Sequence, residues 1–499
     1  MHELIPFIHD QLSNIWGDLN FFKPEITLSV LFILVLITDL IFGRNSEKLC
    51  HIVACAGIGL VIFRDTQILA LKGDQTRVMF EGMLLQSHAS VVFRLIIDSA
   101  AFLLLLYFAW DEQLKSHTKK LSDLYSITIA AVLGLHLMTM AVNLLSIYLA
   151  IEMVSIASYL LVAYRSENAF STEAGLKYVL FGAASSAIML YGISLLYGFT
   201  GALDLFDYNF TSGLIKVHAV GAAFAITLVL VGIGFKLSFV PIHFWVPDVY
   251  EGAPTPVTAF LSIVPKIAAF ALLVNFLTPF LMSPEWKAFD FGLYLSVIGI
   301  ITMIAGNFAA VMQNNVKRML AYSSIGHTGF ALMAVVVFNA QGIKALEYYL
   351  AVYALANIGA LMLVSYFTKI TGSEDVNTYK GLGLKYPAAS VCFVIIMISL
   401  TGLPVTAGFT GKLFVFSAVY GVYQANHNVW LLLLTITGAL TTVVSLFYYI
   451  KIPLNLFLKR TDTIPEIVTQ PNYLLAVAII ISLVLVLLGV FPGWLTQFL

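Results

Sequence analysis

The sequence predicts an all-α polytopic membrane protein. Of its 499 residues, 60% are hydrophobic and only 11% are charged, whereas soluble domains carry about 25% charged residues. Apolar runs long enough to cross a bilayer, which takes roughly 20 helical residues, recur along the whole chain. A lipid bilayer is the solvent that suits so much apolar surface.

The apolar runs predict about fourteen membrane spans when they are measured against that length. The second run is the shortest, and the longest gap, residues 64–90, is too small to build a soluble core. The predicted spans are 26–43, 49–63, 91–110, 122–142, 143–164, 173–200, 219–247, 256–277, 290–311, 319–339, 345–368, 388–420, 429–450 and 472–492.

Composition and motifs exclude several classes of function. The net charge is −1, and no basic cluster interleaved with aromatics indicates a nucleic-acid partner. Cys50, Cys55 and Cys392 fit no zinc, iron–sulfur or disulfide spacing. We interpret them as packing thiols, although Cys50 and Cys55 could meet. No nucleotide-binding, metalloprotease or haem-attachment motif occurs, and residues 1–10 lack the pattern of a cleaved signal peptide.

Basic residues in the loops predict the orientation. An even number of spans puts both termini on one side. With the N-terminus outside, the inside loops hold 14 basic residues and the outside segments hold 7, which is the bias that the positive-inside rule favours. The inside residues are Arg44, Lys48, Lys115, Lys119, Lys120, Arg165, Lys317, Arg318, Lys369, Lys380, Lys385, Lys451, Lys459 and Arg460; the outside residues are Lys23, Arg64, Lys72, Arg77, Lys216, Lys287 and Lys344.

Two of the spans are too long and contain proline, at Pro241 and Pro404. Proline removes a backbone donor and breaks a helix, and broken helices at matching places are typical of inverted-repeat transporters. The breaks lie in spans seven and twelve, and an odd offset inverts topology. We therefore expect two inverted repeats, 122–277 and 290–452, between an N-terminal segment, 1–121, and a C-terminal span, 453–499. The alternative is that prolines are simply common in membrane helices.

Four charged residues lie deep within spans. Glu152 and Lys266 are central, and Lys236 and Lys412 flank the two breaks. A charge at the centre of a membrane helix costs about 2.5–3.5 kcal/mol, or roughly 10–14 kcal/mol for four unpaired ones. A lysine held between burial and a nearby carboxylate can bind and release a proton. The four residues therefore predict a proton relay, with static ion pairs as the alternative.

Other polar residues within or beside spans carry less specific signals. Lys177 and His327 are further candidates for the relay, and His243 is a weaker one. We expect Asp39 and Asp98 to be structural or subunit contacts and Glu347 to lie at the membrane interface. Trp245 and Asp248 would reconnect the chain after the first break.

Three long motifs resemble those of the antiporter-like subunits of respiratory complex I. They are GFKLSFVPIHFWVPDVYEGAPTPVTAFLS at 234–262, KRMLAYSSIGH at 317–327 and GLPVTAGFTGK at 402–412. The similarity extends over nearly the whole chain. The segment DVYEGAPTP at 248–256 resembles the corresponding segment in the subunit N branch of that family. Lysine at 412 points the same way, because glutamate is expected there in the sister subunit M.

The resemblance implies a role for each matched position. Glu152 resembles the span-five glutamate that pairs with the span-seven lysine, here Lys236. Lys266 resembles the central lysine of span eight, and Lys412 resembles the span-twelve lysine near the exit to the outside. Lys177 and His327 match further positions on the same proton axis. Val405 departs from the pattern, since many relatives have a second proline there.

The resemblance also implies partners and location. A chain of this family would translocate protons beside sister antiporter-like subunits and other membrane subunits, in a bacterial inner membrane. NADH, flavin, iron–sulfur clusters and quinone would be handled by partner subunits, with no cofactor in this chain. The alternatives are a subunit of a multisubunit cation/proton antiporter and a purely structural membrane scaffold.

Overall fold

The computed structural model describes residues 4–43, 46–70, 76–115, 121–283, 285–459 and 473–499. Five of the loop residues that predicted the orientation lie outside these ranges: Arg44, Lys72, Lys119, Lys120 and Arg460. The described chain is almost entirely helical, which confirms the predicted fold class.

The N-terminal segment contains five helices and one hairpin, in which Arg77 pairs with Gln86 in antiparallel register. Its elements are α1 (Leu4–Leu19), α2 (Lys23–Phe42), α3 (Ser46–Ala70), β1 (Arg77–Met79), β2 (Leu84–Gln86), α4 (His88–Trp110) and α5 (Glu112–Lys115). The predicted second span, 49–63, was too short, because α3 continues past Arg64 and Asp65. Asp65 is tolerated there because its carboxylate pairs with Arg94 on α4.

The next seven helices form the first predicted repeat. They are α6 (Ser122–Met140), α7 (Leu144–Val162), α8 (Ala169–Thr200), α9 (Tyr208–Lys216), α10 (Ala219–Leu237), α11 (Trp245–Gly252) and α12 (Thr255–Met282). The predicted span seven, 219–247, is therefore interrupted between α10 and α11, where Pro241 lies.

The remaining helices contain the second predicted repeat and the C-terminal span. They are α13 (Phe291–Val311), α14 (Val316–Val336), α15 (Ala340–Thr371), α16 (Leu382–Lys385), α17 (Pro387–Thr401), α18 (Ala407–Asn426), α19 (Val429–Tyr449), α20 (Lys451–Pro453), α21 (Tyr473–Val490) and α22 (Gly493–Thr496). A 3-10 helix covers Val376–Tyr379, and a π-helical turn covers Leu454–Leu458. The predicted span twelve is divided between α17 and α18, around Pro404.

The number of spans agrees with the prediction. Within the described residues, 13 helices are long and apolar enough to cross a membrane. The broken pair α17 and α18 supplies one more crossing. Helices α12, α14 and α15 are almost entirely buried, whereas α2, α3 and α21 expose most of their surface. The centre of the protein is therefore formed by the helices that carry Lys266 and His327.

Both broken helices end in the same backbone motif. Ser238 after α10 and Gly402 after α17 have left-handed conformations, with φ of 66° and 84°. The next residue, Phe239 or Leu403, donates its N–H to the carbonyl of Gly234 or Ile398, which is the Schellman arrangement. Each helix is thus stopped with its last carbonyls partly satisfied inside the protein, as a break within a membrane requires.

The two predicted repeats share further local features. Helices α7 and α14 each follow a capping asparagine, Asn143 or Asn315. Each asparagine forms an isolated β-bridge with an aspartate further along the chain, Asp204 or Asp375. Helices α8 and α15 both contain 32 residues, begin after an asparagine cap and end at a left-handed glycine. These parallels come from separate stretches of sequence and support a common plan for the two halves.

Candidate functional site

Lys236 lies in the last turn of α10, directly before the first break. Its side chain is 3% exposed, and its ammonium has no hydrogen-bond partner among the described protein atoms. The ammonium lies 5.9 Å from the centre of the Tyr178 ring, which stacks on Trp245 of α11. The Lys236 ammonium therefore faces an aromatic ring of α8 that stacks on a ring from the helix after the break.

Glu152 lies on α7 and accepts a hydrogen bond from the hydroxyl of Ser186 on α8. No ion pair within 4.0 Å joins the described Glu152 and Lys236 side chains. Glu152 attracts the Lys236 ammonium only at longer range. Direct pairing of these two residues stays a prediction for another state of the protein.

Lys266 lies in the middle of α12, one residue after Pro265. Proline cannot donate to the carbonyl of Leu261, and the hydroxyl of Tyr250 donates to that carbonyl instead, at 3.2 Å. The Lys266 ammonium donates to the carbonyl and hydroxyl of Ser324, at 3.1 and 3.0 Å. It also donates to the hydroxyl of Thr328 at 3.1 Å, so α14 provides all three hydrogen bonds.

His327 lies on α14 between these two hydrogen-bonding positions. Its Nδ1 atom is 2.6 Å from the hydroxyl of Tyr349, and its Nε2 atom is 3.0 Å from the hydroxyl of Tyr449. The Tyr449 hydroxyl also contacts the hydroxyl of Ser323. Both ring nitrogens thus have partners that can give or take a proton.

Lys412 lies on α18, just after the second break. Its ammonium donates to the carbonyl of Thr401 at 2.8 Å and to the hydroxyl of Thr442 at 3.3 Å, and it faces the ring of Phe330 at 5.4 Å. Thr401 is the last residue of α17, and the C-terminal carbonyls of a helix attract cations. The end of one half-helix therefore holds the charge carried by the other.

A small cavity is lined by both His327 and Lys412. Its volume is about 10 Å³, close to the roughly 10–15 Å³ that one water molecule needs. Tyr349, Thr442 and Tyr448 contribute to its wall.

Lys266 contacts α14 at Ser324 and Thr328, which flank His327 in sequence, and His327 and Lys412 line the same cavity. We call this buried series of polar groups, from Lys266 past His327 to Lys412, the polar line.

Lys177 is outside the polar line. Its ammonium is 2.8 Å from both Glu173 and Asp248, and its side chain is 38% exposed. Asp248 also pairs with Arg318 at 2.9 Å. These ion pairs tie α11 to α8 and α14, so Asp248 does attach the chain after the first break to neighbouring helices.

The other candidates differ in their surroundings. His243 is partly exposed, and its Nδ1 atom lies 3.3 Å from the carbonyl of Pro241, within the broken segment. The hydroxyl of Ser46 donates to Asp39. Glu347 was predicted to be interfacial, but it is 1% exposed. It is buried because the first half of α15 packs among other helices.

Val405 adopts a left-handed conformation, with φ of 77°. Proline, whose φ is fixed near −65°, cannot take this conformation. The second break therefore has a shape that differs from the one a second proline would impose.

A second buried group of charges was not predicted from the sequence. It consists of Glu25 on α2, Asp65 on α3, Arg94 and Asp98 on α4, and His136 on α6, and all five side chains are fully buried. We call it the N-terminal ionic cluster. Asp98 was predicted to be a structural or subunit contact. Arg94 and Asp98 lie in the predicted span 91–110 and His136 lies in the next, 122–142, whereas Glu25 and Asp65 lie just outside the predicted spans. Ionisable residues in two successive predicted spans were the available signal.

The chain has been compared with known proteins. The family model described as "NADH:quinone oxidoreductase/Mrp antiporter, TM" matches residues 141–442. NADH-quinone oxidoreductase subunit N 2 of Chloroherpeton thalassium is 42% identical over 448 residues, covering 88% of this chain and 86% of that protein. A chain of respiratory complex I from Thermus thermophilus with bound aureothin superimposes with a TM-score of 0.77 at 28% identity, covering 95% of this chain and 98% of that one.

A chain of the Mrp complex from Dietzia sp. DQ12-45-1b superimposes with a TM-score of 0.80, covering 95% of each chain. At 18% identity, this likeness concerns the fold alone. The fold and the site define a polytopic membrane protein in which broken helices surround a buried line of lysines, hydroxyls and histidine. The chain belongs to the NADH:quinone oxidoreductase/Mrp antiporter transmembrane family.

Proposed function

We propose that this chain is the antiporter-like subunit N of a proton-translocating NADH-quinone oxidoreductase. The single observation that carries the proposal is the polar line, in which two buried lysines, Lys266 and Lys412, both contact α14, the helix that carries His327. The relatives named for this role support it over most of the chain. Buried ionisable groups on this scale are typical of proton pathways.

In the first half, Lys236 would store a proton and Glu152 would set its affinity. With Glu152 charged and close, the ammonium is favoured; when the two groups separate, burial favours release. One pKa unit corresponds to about 1.4 kcal/mol, so a modest change in separation is sufficient. The released proton would move toward Lys266. The hydroxyl of Tyr250 on α11, which donates to the carbonyl of Leu261, would take part in this step.

In the second half, the proton would move from Lys266 along α14 to Lys412. A hydroxyl that accepts a proton on one side and gives one up on the other is neutral before and after transfer. His327 can do the same with its two ring nitrogens, each of which faces a tyrosine hydroxyl. The cavity before Lys412 would carry the last transfer. Lys177 would act at the surface, where its charge influences access to the line.

We extend the proposal to topology. The matching caps, bridges and breaks support repeats at 122–277 and 290–452, flanked by the segments 1–121 and 453–499. The excess of basic residues in alternate loops supports termini on the outer side of a bacterial inner membrane. The driving energy would come from partner membrane subunits and from redox subunits that handle NADH, flavin, iron–sulfur clusters and quinone, with no cofactor in this chain.

The test is proton uptake by sealed vesicles that contain the assembled complex and oxidise NADH. Lys236→Ala should abolish or strongly reduce uptake while the complex still assembles, as checked on native gels. Lys236→Arg should also fail, because arginine does not release its proton. Lys216→Ala, at an exposed lysine on α9, is the matched control and should pump normally. Normal proton-to-electron ratios in assembled Lys236→Ala would contradict the relay.

A cation/proton antiporter is the second candidate, since the family model and the fold include such proteins. The same vesicles separate the two functions. Sodium efflux that matches proton uptake ion for ion would favour the antiporter, whereas uptake that is unchanged when choline replaces sodium would favour proton translocation alone.

A further inference from the structure

We propose that α2, α3, α4 and α6 enclose a second proton-binding site, separate from the polar line. The site is the N-terminal ionic cluster, and Asp65 carries its dissociable proton. The argument rests on the number of charges in the cluster, on the contacts of His136 and on the oxygens of Asp65, neither of which accepts an aligned hydrogen bond.

Arg94 is the central cation of the cluster. Its Nη1 atom lies 2.6 Å from Glu25 Oε1, and its Nη2 atom lies 3.0 Å from Asp65 Oδ1. All three side chains are fully buried. Arginine stays charged in proteins, so it contributes one fixed positive charge.

His136 is the second cation. Its Nδ1 atom lies 3.0 Å from Glu25 Oε1, and its Nε2 atom lies 2.8 Å from Asp98 Oδ1. A neutral imidazole has a hydrogen on only one ring nitrogen, whereas an imidazolium donates from both. Both nitrogens face carboxyl oxygens, and the imidazolium form donates to both while Glu25 and Asp98 stay ionised, so we assign the positive charge to His136.

The charges of the cluster do not balance when every group is ionised. Glu25, Asp65 and Asp98 provide three negative charges, and Arg94 and His136 provide two positive ones. An uncompensated charge in a water-free interior costs several kcal/mol. One further proton makes the cluster neutral, and this is the proton that we infer.

Asp65 is the carboxylate that binds this proton most readily. Glu25 has hydrogen-bonding contacts with both Arg94 and His136, and Asp98 has one with His136. Asp65 has only the 3.0 Å ion pair with Arg94 among the described residues, and neither of its oxygens accepts an aligned hydrogen bond, although the side chain is fully buried. Its ionised form is therefore the least stabilised of the three.

A metal ion fits the cluster less well than a proton. One ligand atom each from Asp65, Asp98 and His136 lies within 4.8 Å of the others, a spacing that a metal ion could bridge. Both nitrogens of His136 are already directed at carboxylates, however, and no lone pair remains for a metal. Arg94 also occupies the position of a counter-cation beside Asp65.

Ionisable groups on the neighbouring helices are directed elsewhere. Lys266 on α12 is bound to α14, and Glu347 on α15 interacts with Lys344. On α3, Arg64 donates to the carbonyl of Lys23, and the Lys23 side chain is exposed. The link to the first repeat is neutral: Asn275 of α12 donates to the carbonyl of Thr139, next to the cluster on α6. The cluster therefore titrates as a unit of its own.

The test is infrared difference spectroscopy on membranes that contain the assembled complex, because a protonated carboxylic acid has a carbonyl band that a carboxylate lacks. Asp65→Asn should remove one carboxylic acid per chain from the wild-type spectrum, and raising the pH should remove the same band. Lys236→Ala should leave the band unchanged, which separates this site from the polar line.

Two further variants change the charge of the cluster without touching Asp65. Asp98→Asn leaves two carboxylates and two cations, whose charges sum to zero when all four groups are ionised. Asp65 should therefore lose its proton, and the band should disappear. His136→Gln removes a positive charge, so a second carboxylic acid should appear. A wild-type band that Asp65→Asn and Asp98→Asn both leave intact would overturn the proposal. So would a band that appears only when choline replaces sodium, because the bound cation would then be sodium.

Discussion

The two broken helices differ in what surrounds the buried lysine beside each break. At the first break, Lys236 has aromatic neighbours, no described hydrogen-bond partner and one distant carboxylate, Glu152. At the second break, Lys412 donates to the end of α17 and to Thr442. The backbone stops in the same way at both places, so the difference lies in the side chains around the ammonium groups.

That difference indicates a division of labour. In the proposed mechanism, the proton affinity of Lys236 depends on its distance from Glu152 and therefore responds to rearrangement of the two groups. The charge on Lys412 depends on atoms fixed by the backbone. The first half is thus suited to respond to a signal, and the second half is suited to pass a proton on.

A comparison of α7 and α14 leads to the same conclusion. Glu152 and Ser324 stand at the same spacing after their capping asparagines, Asn143 and Asn315. The first half has a carboxylate at this position, and the second has a neutral hydroxyl that accepts from Lys266. A hydroxyl passes a proton without a lasting change of charge.

The largest effect is expected where the two halves meet. Lys266→Met should abolish NADH-driven proton uptake, because the only described ammonium that donates to Ser324 and Thr328 is lost. The partners of Lys266 are neutral groups, and burying a charge without a counter-charge is costly. Methionine has a similar length and removes that cost, so the thermal stability of the complex should not fall. Uptake at the wild-type ratio would show that protons pass between the halves by another route.

Glu152→Gln should reduce uptake by about tenfold or more, because a change of one pKa unit corresponds to about 1.4 kcal/mol and Lys236 loses its only carboxylate partner. Glu152→Asp should be milder than Glu152→Ala, since the charge remains. Ser324→Ala is the comparison in the second half and should have a smaller effect, because Lys266 keeps Thr328. The reverse order of the two effects would contradict the division of labour.

An intermediate effect is expected at His327. His327→Gln retains groups that can bond both tyrosines but cannot take up a proton, so uptake should fall several-fold rather than disappear, with water in the cavity serving as a bypass. Tyr449→Phe, which removes one partner of the ring, should have a weaker effect. When proton uptake is measured over a range of pH, the shape of the pH profile should change in His327→Gln and should stay as in the wild type in Tyr449→Phe.

Thr442→Val should reduce uptake slightly. The variant removes the longer of the two hydrogen bonds that the Lys412 ammonium donates, and the bond to the carbonyl of Thr401 remains. A hydrogen bond from a charged donor typically contributes about 1.5–3 kcal/mol. Thr435→Val on the same helix is the matched control, because the Thr435 hydroxyl bonds only its own helix, at the carbonyl of Leu431. Equal losses in both variants would mean that α19, and not Lys412, is affected.

The smallest effect is expected at Lys177. Exposed ion pairs contribute about 0.2–1 kcal/mol, so Lys177→Ala should lower stability slightly at low salt and not at high salt. Its effect on uptake should be modest compared with that of Lys236→Ala. A complete loss of uptake would place Lys177 in the proton path itself, as the family resemblance suggests.

Much of the fold could be predicted because membrane spans follow from local composition. The spans and both breaks depend on apolar runs and prolines, which are visible along the chain. The second span was misjudged for the same reason: Arg64 and Asp65 end its apolar run, and the residue that compensates Asp65, Arg94, lies on another helix.

The site could be predicted only in part. Buried lysines stand out in an apolar sequence, so Lys236, Lys266 and Lys412 were found without knowledge of their neighbours. Their partners are hydroxyls and backbone carbonyls, which occur everywhere and carry no signal until the helices pack. The burial of Glu347 and the meeting of Glu25 with His136 likewise depend on the arrangement of helices distant in sequence.

Helices α8 and α15, with 32 residues each, are longer than a bilayer is thick. At 1.5 Å per residue each is about 48 Å long, whereas the hydrocarbon core of a bilayer is about 30 Å thick. Both helices must lean across the membrane or extend beyond it. Because α15 carries Tyr349 to His327 and α8 carries Ser186 to Glu152, a change in bilayer thickness would alter their tilt and shift these contacts. If the proposed proton relay is correct, proton uptake should therefore vary with the lipid chain length of the vesicles.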